Sequence, residues 1–141
     1  MRRNVKLTLD HVGKWPMSGE EARRKPVKHF LITRRDALKV VQGKNRYMLV
    51  SFFVSNDYIN LAMIELPSGG NGVRASEPEV HKGDEVLYAL NGSMTVFLTD
   101  TEETFVVNEG EAFYIPEGIK HQYVNFTDKV VKSIQIIAPE L

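Results

Sequence analysis

The sequence predicts an all-β domain, and three observations carry that prediction. From about residue 29 onward, short apolar or alternating runs are separated by Gly, Asn, Asp or Pro, the pattern of strands joined by tight turns. Asn91-Gly92 stands between two β-rich runs and is the dipeptide that two-residue hairpins favour. Residues 110–125 read Gly-Glu-Ala-Phe-Tyr-Ile-Pro-Glu-Gly-Ile-Lys-His-Gln-Tyr-Val-Asn, so Gly110, Pro116, Gly118, His121 and Asn125 are spaced to turn one strand into another and deliver a histidine inward.

The first third of the chain reads differently from the rest. Ser18-Gly-Glu-Glu21 has a capping-box pattern, a serine followed three residues later by glutamate, and predicts a short helix that must break near Pro26. Residues 1–45 are expected to form an N-terminal arm that packs on the β-rich remainder or on a dimer partner, with Trp15 as an anchor, and 46–141 that β-rich unit, one domain overall. Within the arm, His29–Thr33 is a candidate strand and Arg34–Val41 a brief helical turn.

Beyond it the runs Tyr47–Val54, Tyr58–Leu66, Glu85–Leu90, Met94–Thr99, Thr104–Val107, Ala112–Ile115, His121–Phe126 and Val131–Ile137 are candidate strands. The turns fall at Asn56-Asp57, Pro67 to Gly72, Asn91-Gly92, Asp100 to Glu103, Asn108 to Gly110, Pro116 to Gly118 and Thr127-Asp128. Each supplies a residue that tolerates reversal of the backbone. Tyr47, Tyr88 and Tyr114 are expected first as core residues and second as pocket residues. Gly110, Pro116 and Gly118 read as backbone formers, and Asn125 as a side chain that holds neighbouring backbone.

Composition bounds the function. The 141 residues suit one domain, and 18 Lys plus Arg against 18 Asp plus Glu leave no global field to draw nucleic acid or an anionic membrane. Arg23, Arg24, Lys25, Lys28, Arg34 and Arg35 cluster, and read as solvated helix and turn charges. No cysteine is present, so disulfides and thiolate chemistry are excluded and any metal must be held by nitrogen and oxygen. The stretch from Val5 to Leu9 alternates apolar with polar and gives no signal-peptide core, and no run approaches the roughly 18 to 20 apolar residues that span a bilayer. A soluble cytoplasmic protein is expected, with a small molecule or a second copy of the chain as partner. Phosphate-cradling, dinucleotide-binding and nucleophile-elbow motifs are absent from the sequence.

The stretch from Gly110 to Asn125 resembles the second motif of the cupin superfamily, G-x5-P-x-G-x2-H-x3-N, at every fixed position. Upstream, Glu79-Val-His81-Lys-Gly-Asp-Glu85-Val-Leu-Tyr-Ala-Leu-Asn-Gly92 resembles the first motif, G-x5-H-x-H-x(3,4)-E-x6-G. His81, Glu85 and Gly92 match it. Glu79 takes the place of the first histidine, and the leading glycine falls at Val73, with Gly72 nearest. The resemblance covers about residues 60–138 and implies a double-stranded β-helix, a jelly-roll barrel that usually carries a metal.

Side chains two apart on a strand share a face, so Glu79 and His81 point the same way, and an extended continuation adds Glu85. The resemblance implies that His121 aims its imidazole at the same point, giving a metal set of Glu79, His81, Glu85 and His121. Mixed imidazole and carboxylate ligation suits a divalent Fe, Mn, Zn or Ni ion. Tyr123 lies on His121's face by alternation and can meet a ligand, and Glu79 or Glu85, if unbound, can act as general base. His11 and His29 fall outside the set.

The function this implies is a metal-dependent enzyme acting on a small polar metabolite, an organic acid or sugar derivative. Dioxygenase ranks first, followed by isomerase, lyase or decarboxylase. The alternative is a non-catalytic cupin that binds a small ligand, and a third reading, a structural dimer, requires Glu79 and His121 turned away from each other. Apolar strands on the outer face suggest a homodimer, which the mass from light scattering at micromolar concentration checks.

Overall fold

The computed structural model describes residues 29, 31–42, 45–71 and 78–141. Over these the chain forms β1 (Leu38–Gln42), β2 (Met48–Ser55), β3 (Asn60–Leu66), β4 (Asp84–Asn91), β5 (Met94–Leu98), β6 (Glu103–Val107), β7 (Ala112–Ile115), β8 (His121–Val124) and β9 (Val131–Ala138). They make two antiparallel sheets, one in the order β1-β2-β3-β9-β4-β7 and one in the order β6-β5-β8. No helix occurs among the described residues, and none there is long and apolar enough to cross a membrane.

Alternation decides what lies between the sheets. Met48, Val50 and Phe52 of β2, Ala62, Ile64 and Leu66 of β3, and Leu87 and Ala89 of β4 face Met94 and Val96 of β5 and Tyr123 of β8 in one buried cluster. Burying each of the larger apolar side chains is worth about 1.5–3 kcal/mol, so this layer is the main source of cohesion. The intervening residues of the larger sheet, among them Val41, Tyr88, Leu90, Tyr114 and Ile136, leave its outer face apolar and exposed.

Several expectations are corrected. Asn91-Gly92 does not close a hairpin: β4 and β5 belong to different sheets. Gly92 does reverse the chain at φ +68°, but Asn91 stays with β9, opposite Lys132 after a bulge, and accepts from the Lys132 backbone N–H at 2.7 Å. The turn therefore carries the chain from one sheet to the other. The stretch Arg34–Val41 is a turn only at its start, and from Leu38 it is strand β1, paired with β2 from Leu38↔Phe52 to Gln42↔Met48. Alternation of inward Leu38 and Val40 with outward Lys39 and Val41, two of the four being β-branched, favours strand over helix.

His29–Thr33 makes no strand among its described residues. Thr33 instead closes a turn onto Asp36, its hydroxyl donating to the carboxylate at 2.8 Å and its carbonyl accepting from the Asp36 N–H. Tyr47, Tyr88 and Tyr114 are outside the core, 49%, 43% and 57% exposed. For Tyr88 and Tyr114 the cause is register, since Glu85 and Leu87 take the inward positions of β4 and leave Val86 and Tyr88 outward, with Tyr114 opposite Val86. The helix expected at Ser18–Glu21, Trp15, His11 and the basic residues 23–28 lie outside the described residues.

Gly83 marks a close approach just before β4. A Cβ there would sit 2.5 Å from the Ala138 carbonyl oxygen and 2.8 Å from that of Glu140, both backbone atoms that cannot swing aside. Gly83→Ala is expected to cost about 1–3 kcal/mol, the usual range for overpacking. The check is the urea midpoint of unfolding, which falls at an unchanged m-value.

Candidate metal centre

The two motifs are stitched together through backbone. Glu79 and His121 form a bridge in which each N–H donates to the other's carbonyl at 2.9 Å. Gly118, at φ +77° in the turn before β8, donates its N–H to the His81 carbonyl at 3.0 Å. That turn needs a left-handed residue, which glycine supplies without strain. Asn125 secures the far end of β8: its amide donates to the Leu66 and Lys129 carbonyls at 2.9 and 2.7 Å, and its oxygen accepts from the Thr127 N–H. Val80, between Glu79 and His81, faces solvent at 42% exposure, so the pair shares the inward face as strand alternation requires.

Glu79, His81, Glu85 and His121 converge, all buried, with His121 and Glu85 at 0% and 1% exposure. Glu85 Oε2 lies 3.1 Å from His121 Nε2 and 3.3 Å from His81 Nε2. Glu79 Oε2 lies 3.5 Å from His121 Nε2 and 4.0 Å from His81 Nε2. The reading that needs Glu79 and His121 turned apart is overturned by that 3.5 Å separation. Among the described residues, Glu79, His81 and His121 form a group whose donor atoms all lie within 4.8 Å of one another, as a metal would require.

The surroundings fix how each group is presented. Tyr123 donates its hydroxyl to Glu85 Oε1, and Gln135 Nε2 donates to the same oxygen at 2.7 Å. Only Oε2 of Glu85 is left to face the imidazoles. His121 Nδ1 lies 2.9 Å from the Ile119 carbonyl, which can only accept, so Nδ1 carries a proton and Nε2 is the ligating nitrogen. Sequence reasoning missed Gln135 and the Ile119 carbonyl. Alternation gave no signal for Gln135, since β9 carries apolar side chains on both of its faces.

The donor set fits a divalent ion. Both oxygens of Glu79, both ring nitrogens of His81, Glu85 Oε2 and His121 Nε2 are buried without a hydrogen-bond partner. Orphaned buried polar atoms are costly, and a dication in their midst would satisfy them together. Ligands about 2.0–2.2 Å from an ion lie roughly 3–3.6 Å from each other, and three of the four separations fall at 3.1, 3.3 and 3.5 Å.

Without a metal the cluster holds protons instead. Burial disfavours a charged His121, but the Glu79 and Glu85 carboxylates outweigh it and push its pKa up to about 10. His81 is raised in the same way, burial being opposed by Glu85 and Glu79. For Glu85 burial acts to raise the pKa, yet the two imidazoles hold it well below the usual carboxylate range. Tyr123 is pushed far up by burial and by the nearby carboxylates, so it remains a donor.

A ligating imidazole must be neutral at the bound nitrogen, so metal uptake displaces the proton from His121 Nε2. Adding zinc to metal-free protein at pH 8 is expected to release about one proton per ion or more, read with an indicator dye in weak buffer. The release fades as pH rises through about 10. The sign for stability follows: the His121 contribution in metal-free protein is complete below the ordinary value of about 6.5 and lost through about 10.

A family model described as Cupin domain matches residues 63–137. No curated protein matches the chain. Among solved structures, the polyketide cyclase RemF from Streptomyces resistomycificus is 23% identical, with 80% of this chain and 81% of that one covered, at a TM-score of 0.64. A predicted oxalate decarboxylase from Thermotoga maritima is 15% identical over 78% of this chain and 99% of its own, at 0.63. FeII HppE is 11% identical over 77% of this chain and 60% of its own, at 0.64. At such identities the likeness shows a shared fold.

Proposed function

Since the chain belongs to the cupin superfamily, we propose that it is a metal-dependent enzyme acting on a small polar metabolite, with oxygen-dependent cleavage or oxidation as its first-ranked chemistry. The observation that carries this reading is the meeting of two imidazoles and two carboxylates whose facing atoms have no other partner. Similarity to the polyketide cyclase, the predicted oxalate decarboxylase and FeII HppE supports catalysis over ligand binding alone.

Glu79, His81 and His121 would hold the ion, with Glu85 Oε2 as a fourth donor. An ion bound there polarises a substrate oxygen and, as iron, supports reaction with dioxygen. Two carboxylates neutralise the dication, which favours retention of a hard ion. Tyr123 and Gln135 keep Glu85 from rotating, because both bind its outer oxygen. Neither oxygen of Glu79 is held by a hydrogen bond, so one can ligate while the other takes a proton from a bound substrate.

The test loads untagged protein with Fe(II), Mn(II) or Zn(II) and offers a panel of hydroxy acids, keto acids and sugar acids. Mass spectrometry follows products and an electrode follows oxygen. Turnover with iron and oxygen uptake is the expected result. Turnover with zinc or manganese and no oxygen uptake moves the assignment to lyase or isomerase. Ligand retained unchanged with every metal overturns the enzyme reading in favour of a binding module.

A further inference from the structure

Gln135 lies on β9, where it pairs with Ala62 of β3 and Leu87 of β4, and it is 1% exposed. A charged carboxylate can only accept, so the contact with Glu85 Oε1 fixes the amide: Nε2 faces Glu85 and Oε1 faces away. That Oε1 has no hydrogen-bond partner. Its neighbours in the sheet, Ala62 and Leu87, have apolar side chains that offer it no donor. A buried amide acceptor left unpaired costs free energy, and it sits one covalent amide away from the group that buttresses the metal donors.

Resting on the metal-enzyme reading above, we propose that Gln135 is a specificity-determining and positioning residue: its Nε2 fixes Glu85 while its Oε1 accepts a hydrogen bond from a hydroxyl or amide N–H of the metal-bound substrate. The substrate class this selects has an oxygen that chelates the ion and a hydrogen-bond donor adjacent to it. Hydroxy acids meet that description. Their O-alkylated counterparts keep the chelating oxygens and lose the donor.

The test uses cobalt(II)-loaded protein, whose visible absorption reports ligands entering the coordination sphere, titrated with glycolate and with methoxyacetate. Wild type is expected to bind glycolate at least tenfold more tightly, the usual consequence of leaving a buried acceptor unpaired. Gln135→Met keeps the length and bulk of the side chain and removes the amide. A preference caused by bulk persists in it, and one caused by Oε1 disappears.

Loss of the preference in Gln135→Met, with cobalt still bound, supports the proposal. Equal binding of the two probes by wild type overturns it and assigns Oε1 to water, as does a preference unchanged in the variant. Should Gln135→Met fail to fold or to hold cobalt, wild type titrated with lactate serves instead: lactate carries an extra methyl as methoxyacetate does but keeps the hydroxyl, and it is expected to bind like glycolate, whereas lactate as weak as methoxyacetate overturns the proposal. Wild type that takes up no cobalt overturns the metal reading and this inference together, an outcome distinct from the others.

Discussion

Replacing His121 with alanine is expected to take the bound divalent ion from about one per chain to none, read by plasma mass spectrometry on dialysed protein, and to abolish turnover with it. His121 stands where everything in the site meets. It opens β8, bridges Glu79 through backbone, and places Nε2 within 3.1 Å of Glu85 and 3.5 Å of Glu79. Its other nitrogen is committed to the Ile119 carbonyl, so the ring cannot turn to offer a substitute. Truncation leaves one imidazole, His81, with two carboxylates, a weaker set for a borderline dication such as zinc or iron. The backbone bridge to Glu79 does not need the side chain, so the fold survives and circular dichroism is expected to be unchanged. A variant that keeps stoichiometric metal would place the ion elsewhere.

What could be read in advance, and what could not, follows from where each constraint is written. Gly118 and Asn125 act on backbone, by a left-handed φ and by side-chain hydrogen bonds to main chain, and their spacing from His121 is legible in the sequence although one Asn125 partner, the Leu66 carbonyl, lies far along the chain. Glu79 and His81 share a face because strand alternation has a period of two. Pairing between sheets is not local. Asn91-Gly92 signals reversal, but whether Met94 pairs back onto β4 or forward onto Val107 depends on residues far along the chain. β9 hides its site residue for a related reason: Ile134 and Ile136 on the outer face are as apolar as Val131 and Ile137 on the inner, so alternation does not tell which face Gln135 occupies. The Glu85 contact at 2.7 Å settles it.

Replacing Glu85 with leucine is expected to destabilise metal-free protein by about 3–5 kcal/mol, because it removes one side of a buried charge cluster and leaves the other side in place. In that state His121 and His81 hold protons against burial only because Glu85 and Glu79 face them. Without Glu85, the Tyr123 hydroxyl and the Gln135 amide lose their common acceptor as well. These two donors and the two imidazoles are then left over a leucine that can pair with none of them. Glu85→Gln keeps one half of the arrangement: its amide oxygen still accepts from Tyr123 and Gln135, while its NH2 takes the place of Oε2, so the imidazoles lose both the charge and the oxygen that faced them. Urea unfolding in the presence of a chelator is expected to rank wild type above Glu85→Gln and Glu85→Leu lowest, with Tyr123→Phe costing less than either because it deletes one donor and leaves the carboxylate held by Gln135. The ranking is specific to the metal-free state, since a bound ion adds its own binding free energy to the wild type. Equal stability of Glu85→Leu and wild type under chelator would mean that the imidazoles are neutral without the carboxylate, and that the cluster holds together only when the metal is bound.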